Sequence, residues 1–169
     1  MKKRIIAFLL CILTVFSAVC LLASCDTAFL SSSETTGLYF FPLPDGSYGI
    51  KAGTALYLES IALPIEHNGR KVTEILPGAF EGAYNLKAIN IPAHVIKIGE
   101  SAFFGCVKLT DIVIPETVTS IGENAFSGCV SLTEIKFKGT EEQWNAVAKA
   151  EGWDFNVKGC TVTFNYSGE

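Results

Sequence analysis

The chain has 169 residues, 13 basic against 17 acidic, and a net charge of −4. A length of this order holds one domain, and an acidic balance excludes the basic surface that nucleic acid needs. Hydrophobic residues make up 49% of the chain, but part of that excess lies in the first two dozen residues.

Lys2, Lys3 and Arg4 precede an apolar run from Ile5 to Leu22, broken only by Thr14 and Ser17. A charged start followed by an apolar core is the pattern of a secretory leader. An uncleaved membrane anchor is the alternative reading, since about 18 apolar residues reach the lower limit for a spanning helix. Either way, the remainder is exported. Leu22-Ala23-Ser24-Cys25 resembles the lipobox of bacterial lipoproteins. That resemblance implies a leader over residues 1–24, lipidation at Cys25, and a membrane anchor made of acyl chains; two such chains give stable attachment where one does not. Loss of the leader removes three basic residues and no acids. Ten bases then face 17 acids, a net of −7, in the 145 residues from Cys25 to Glu169.

Residues 25–37 are rich in Ser and Thr and read as a tether. An ordered domain is expected over 38–169. Tyr39–Phe41 and Tyr48–Ile50 flank a Pro44-Asp45-Gly46 turn signal and predict a hairpin that closes the first coil. The Leu58–Pro64 segment has the pattern L-x-x-I-x-[IL]-P, which recurs at Leu86–Pro92 with a local insertion around His67-Asn68-Gly69. Asn-Gly predicts a tight turn there.

From Lys71 onward one unit repeats. The landmarks Ile75, Ile98 and Ile121, Phe80, Phe103 and Phe126, Gly82, Gly105 and Gly128, and Leu86, Leu109 and Leu132 each recur every 23 residues. A fixed period of this size predicts stacked coils sharing one core. Leu86, Ile89 and Ile91 are expected inside, with Ala88 and Asn90 outside and Pro92 and Pro115 ending the strands. A second short strand is expected over Val95–Ile98 and Val118–Ile121. Gly99 and Gly122 are expected to turn the chain, and the A-F-x-G-C corner to set its Phe in an aromatic column. Repeats fall at about 58–85, 86–108 and 109–131, with a partial copy over 132–138.

The copy from Leu109 to Cys129 follows L-T-x-I-x-I-P-x-x-V-T-x-I-G-x-x-A-F-x-G-C nearly throughout, and Leu86–Cys106 does so with Ala93 and His94 in the link. The copy from Lys71 departs, with Leu76 for the Gly and Ala83 for the Cys. Over about Leu56–Phe137 the chain resembles the BspA-like leucine-rich repeats of bacterial surface proteins. The resemblance implies a right-handed, mainly β solenoid of parallel strands with short helical corners, non-enzymatic, that binds protein or mediates adhesion.

Beyond Phe137 the pattern breaks. Thr140 and Gln143 fit a capping box, predicting a helix over Glu141–Ala150 stopped by Gly152, then a strand over Thr161–Tyr166. This helix–strand element, 139–169, is expected to cap the core with Trp144 and Trp153. A Trp-based sugar platform is the alternative role of these rings, so carbohydrate is a further partner class.

Of six cysteines, Cys106, Cys129 and Cys160 come after the lipobox. Cys106 and Cys129 share a slot in adjacent coils, which is compatible either with a disulfide or with a ladder of buried thiols. His67 and His94 read as solvent-exposed turn residues outside any metal-ligand spacing. A Cys106–His94 pair is conceivable, but Cys106 occupies a core slot, where a thiol is inert. No catalytic set, metal site or cofactor motif emerges. The candidate binding face is the outward strand residues Ser60, Ala62, Ala88, Asn90, Asp111, Val113, Glu134 and Lys136. Their expected partner is a host or envelope protein, with an envelope-assembly role as the alternative.

Overall fold

A computed structural model describes residues 36–168, which belong to the unit Glu34–Glu169. The leader, Cys25 and most of the tether lie outside the described residues. Strands β1 (Tyr39–Pro42) and β2 (Tyr48–Lys51) form the expected antiparallel hairpin. Asp45 closes its turn by accepting from the Ser47 backbone N–H at 2.9 Å. A 3-10 helix, Gly53–Tyr57, leads to β3 (Ser60–Ala62). The insertion is a small hairpin of β4 (Glu66–His67) against β5 (Arg70–Ile75). Asn68 and Gly69 sit at φ 52° and 71°, the positive-φ pair that a tight hairpin turn demands.

The chain then climbs through β6 (Ala88–Asn90), β7 (Lys97–Ile98), β8 (Asp111–Ile114), β9 (Ser120–Ile121), β10 (Glu134–Phe137), helix α1 (Glu141–Ala146), β11 (Ala148–Lys149) and β12 (Thr161–Thr163). Each turn contributes one strand to each of two sheets. One sheet runs β3-β6-β8-β10-β12; the other runs β1-β2-β5-β7-β9-β11, with β4 beside β5. Pairing within the first is parallel throughout and sets like residues side by side, Ile61 on Ile89 and Ile112 on Ile135. The result is a β-solenoid of about five turns with little helix.

The core is the repeat read in three dimensions. Phe80, Phe103 and Phe126 are fully buried, with successive ring centroids 5.3 and 5.2 Å apart and planes within 6°. Ile75, Ile98, Ile121, Leu86, Leu109 and Leu132 are also buried. Leu58 is not, at 40% exposure, although it holds the same slot as Leu86; its coil is the first described, with no described coil before it to cover that side chain. The second strands are shorter than expected, two residues each at β7 and β9.

The glycines divide into two kinds. Gly82, Gly105 and Gly128 lie at φ 70–75°, as the corner requires. Gly99 and Gly122 were expected to turn the chain, but they have no positive φ. A Cβ on Gly99 would stand 2.6 Å from the backbone N of Pro77, and one on Gly122 2.4 Å from that of Glu100. They are small because the neighbouring coil's backbone passes there. Of the described non-glycine residues at positive φ, two sit in one slot of the repeat. Ser101 and Asn124 lie at φ 52° and 53° in a slot that Gly78 also fills at 64°. An L side chain there costs roughly 1–2 kcal/mol, partly offset by the entropy a glycine loses on folding. Ser101→Gly is expected to raise stability by about 0.5–1 kcal/mol in urea unfolding.

The corners, expected as tight helical or turn elements, are the 3-10 helix Gly53–Tyr57 in the first coil and hydrogen-bonded turns in the inner coils. Helix α1 starts as read: Gln143 N–H donates to Thr140 Oγ1 at 3.3 Å, and Thr140 N–H donates to Gln143 Oε1 at 2.7 Å. Thr140→Ala removes one of these bonds and is expected to cost about 1 kcal/mol in the same assay. The helix ends at Ala146, four residues short of the expected Ala150. Val147 turns extended and buries its side chain, and Ala148 N–H donates to Thr119 O at 2.9 Å. The sheet ladder outcompetes further helix.

Beyond β11 the chain makes another coil in disguise. Phe103 N–H donates to Ala125 O, and Phe126 N–H to Trp153 O; likewise Gly105 pairs with Ser127 O and Gly128 with Phe155 O. Asp154 thus takes the Phe slot, and Asn156, at φ 67°, the Gly slot.

Candidate functional site

Outside the five-stranded sheet, side chains alternate as the pleat dictates. Ser60, Ala88 and Asn90 are exposed, whereas Ala62, Asp111, Val113, Glu134 and Lys136 are half-buried. The register places all eight on one strip: Ser60 beside Ala88, Ala62 beside Asn90, Asn90 beside Val113, Asp111 beside Glu134, and Val113 beside Lys136. Strand β12 extends the strip with Thr161 beside Glu134 and Thr163 beside Lys136. Those two threonines were missed because the terminal strand was read only as a cap; its alternation, with Cys160, Val162 and Phe164 turned inward, carried the signal.

The strip is chemically polarised. Its first half is small and neutral. Its second half is a charged network: Lys136 Nζ donates to Asp111 Oδ1 at 3.0 Å, stands 3.7 Å from Glu134, and lies 5.5 Å from the centroid of the Tyr166 ring. Thr163 Oγ1 donates to Glu134 Oε1 at 3.0 Å. The bond to Asp111 pushes the Lys136 ammonium above its ordinary pKa, with the charges of Asp111 and Glu134 adding to it. A raised lysine contributes stability that is fully present below its unfolded value of about 10.4 and is lost only as pH rises through the higher folded value. The network is therefore intact across neutral pH. At the other end of the strip, Lys87 bonds Glu59 at 2.9 Å and holds that carboxyl below its usual range.

Neither histidine is a freely exposed turn residue. His67 stacks on Phe40 at 3.8 Å and meets Tyr48 edge-on at 5.1 Å. His94 is half-buried, and its Nδ1 is buried with no hydrogen-bond partner. Cys106 and Cys129 are free, buried thiols, donating to Phe80 O at 3.3 Å and Phe103 O at 3.1 Å. The neighbouring Cys129 thiol and burial push the Cys106 thiol up, the opposite of what a nucleophile needs. Among the described residues no cluster of His, Cys, Asp and Glu could hold a metal, and no helix is long and apolar enough to cross a membrane. A cavity of about 80 Å³ lies in the last coil, lined by Phe126, Trp153, Asp154 and Cys160 among others. Small-molecule pockets are typically about 300–1,000 Å³.

Two stacked sheets built from a repeated apolar coil define a leucine-rich repeat protein, a class whose members generally bind other proteins and are typically non-enzymatic. Residues 55–148, over half the chain, match the model of the BspA type leucine rich repeat region with six copies, and the chain belongs to that family. A leucine-rich repeat protein from Bacteroides capillosus is similar in structure, with TM-score 0.61 and 26% identity over 76% of this chain and 94% of that one. The T. pallidum leucine rich repeat protein gives TM-score 0.60 at 22% identity, over 77% of this chain. A leucine-rich repeat protein from Bacteroides ovatus gives 0.52 at 25%, over 76%. The chain spans 63% of the T. pallidum protein and 36% of the Bacteroides ovatus one. No curated protein matches the chain.

Proposed function

We propose that this chain is a cell-surface lipoprotein that binds a protein partner through the outward strip of its five-stranded sheet, weakly per copy and by avidity on the membrane. One observation carries the reading: the register aligns ten outward side chains, Ser60 to Thr163, on one continuous strip. Size sets the affinity. Five strands at about 4.8 Å spacing and roughly 10 Å of exposed length offer on the order of 240 Å², against about 800 Å² on each side of a standard interface. The strip also lacks the aromatic anchors that dominate hot spots, so many copies on one surface supply what a single copy does not. Lipidation at Cys25 would provide that array.

The test displays the domain multivalently and measures adsorption of extracellular-matrix proteins and of envelope extracts, alongside Asn90→Arg/Val113→Arg. The paired variant alters only outward side chains, so it is expected to fold and to lose binding. Retained binding overturns the strip as the site. A single stoichiometric envelope partner would favour assembly over adhesion. Cys25→Ala tests the address and is expected to release the protein or leave it unprocessed. Carbohydrate binding has less support: Trp144 is buried against Phe137 at 5.2 Å, and Trp153 is packed on Phe126 and Trp144 at 6.2 and 5.9 Å. A glycan array tests it.

A further inference from the structure

The large apolar side chains left in solvent are not spread evenly. Of the ten exposed among the described residues, five fall between Tyr39 and Ile65: Tyr39, Phe41, Tyr57, Leu58 and Ile65. This segment is the first coil, and its place in the topology is terminal. Strand β1 ends one sheet, β3 ends the other, and the 3-10 helix lies between them in the chain. Tyr39 packs beside Gly53 at the start of that helix, 3.0 Å from where a Cβ would stand, while Tyr57 closes the helix at 76% exposure. The chain also enters here. Gly37 O accepts from Ala55 N–H at 3.2 Å, pinning the incoming backbone to the same helix.

We propose that this N-terminal end of the solenoid, presenting Tyr39, Phe41, Tyr57 and Leu58, seats on the phospholipid bilayer to which the chain is tethered. The inference rests on the lipoprotein reading under Proposed function. Thr36 lies 11 positions after Cys25. Eleven residues reach at most roughly 40 Å. The exposed coil is therefore held within reach of lipid. Tyrosines suit the boundary because the ring enters the apolar edge while the hydroxyl stays with the headgroups. Weak intrinsic affinity suffices, since a short tether gives an effective concentration of order millimolar. Seated in this way, the solenoid stands on its first coil, and its binding strip faces sideways along the membrane.

The two native tryptophans, Trp144 and Trp153, both lie at the opposite end of the solenoid. This makes a reporter straightforward. The full lipidated chain carrying Tyr57→Trp is reconstituted in phosphatidylcholine vesicles with brominated acyl chains. A second chain carries Val130→Trp, also well exposed at 65% but on an inner coil. The expected result is a loss and blue shift of emission for Tyr57→Trp, with none for Val130→Trp or for the unsubstituted chain. Vesicle-bound protein with no quenching at Tyr57→Trp overturns the seating and leaves the lipid anchor standing. Equal quenching at both positions also overturns it, as does burial of Tyr57→Trp through self-association without lipid. Protein that fails to bind vesicles at all overturns the anchor and the seating together.

Discussion

Replacing Phe103 by alanine is expected to cost about 3–5 kcal/mol of unfolding free energy, the range for emptying a buried aromatic site. Phe103 is the middle ring of the column, fully buried, with a parallel neighbour 5.3 Å below and another 5.2 Å above. Neither neighbour can close the gap. Each is held in its own coil by backbone bonds to the coil beyond, Phe80 N–H to Ala102 O at 2.7 Å and Phe126 N–H to Trp153 O at 2.7 Å. A domain of this size is stable by about 5–15 kcal/mol, so the loss is a large share of the whole. Phe104 is the control. One residue away, it points outward at 42% exposure, and Phe104→Ala is expected to stay within about 0.5 kcal/mol. Urea denaturation of both variants decides the matter: similar midpoints would mean the column carries no special burden.

That contrast between adjacent phenylalanines was legible from sequence because each slot of an inner coil meets the same surroundings above and below. The 23-residue period therefore placed the Phe, Ile and Leu columns and the buried thiols. The end coils break that condition. Leu58 matches the Leu slot in letter, yet it lies exposed because no described coil precedes it. In the last coil the Phe, Gly and Cys slots hold Asp154, Asn156 and Val157, and a capped helix lengthens the step. With solvent on one side, those slots no longer demand their residue types, and the repeat became unreadable as one. The outward strip was legible through its period-two alternation. The charged network on it was not, since Lys136 meets Asp111 and Tyr166 only through strand register and the return of the chain beyond β12. Nor does the letter Gly reveal its reason. Gly105 and Gly122 look alike in sequence, but only the first has positive φ.

The second large effect arises from that difference. Gly122→Ala is expected to cost roughly 2–4 kcal/mol, at or above the usual overpacking range. The new methyl would lie 2.4 Å from Glu100 N, 2.7 Å from Gly99 C and 2.8 Å from Glu100 Cα. All three are backbone atoms, so no side chain can swing aside. Relief requires the coils to separate locally, which stretches the bond from Gly122 N–H to Ile98 O, now 2.9 Å. Alanine's lower unfolded-state entropy returns only about 0.4–1 kcal/mol. Two positions show how the fold handles a side chain in this slot. Leu76 occupies it beside the hairpin, where its Cδ2 stands 2.5 Å from where a Cβ on Gly49 would be, so a glycine opposite makes the room. Ala150 occupies it in the last described coil, where its N–H still donates to Ile121 O at 2.9 Å. Gly105→Ala supplies the comparison. Its methyl would meet nothing within 4 Å, leaving only the left-handed backbone penalty of about 1–2 kcal/mol. Unfolding measured on both variants should rank Gly122→Ala as the more damaging. The reverse order would mean that the glycines between coils serve chain direction after all, and that the backbones have slack where the structure shows contact.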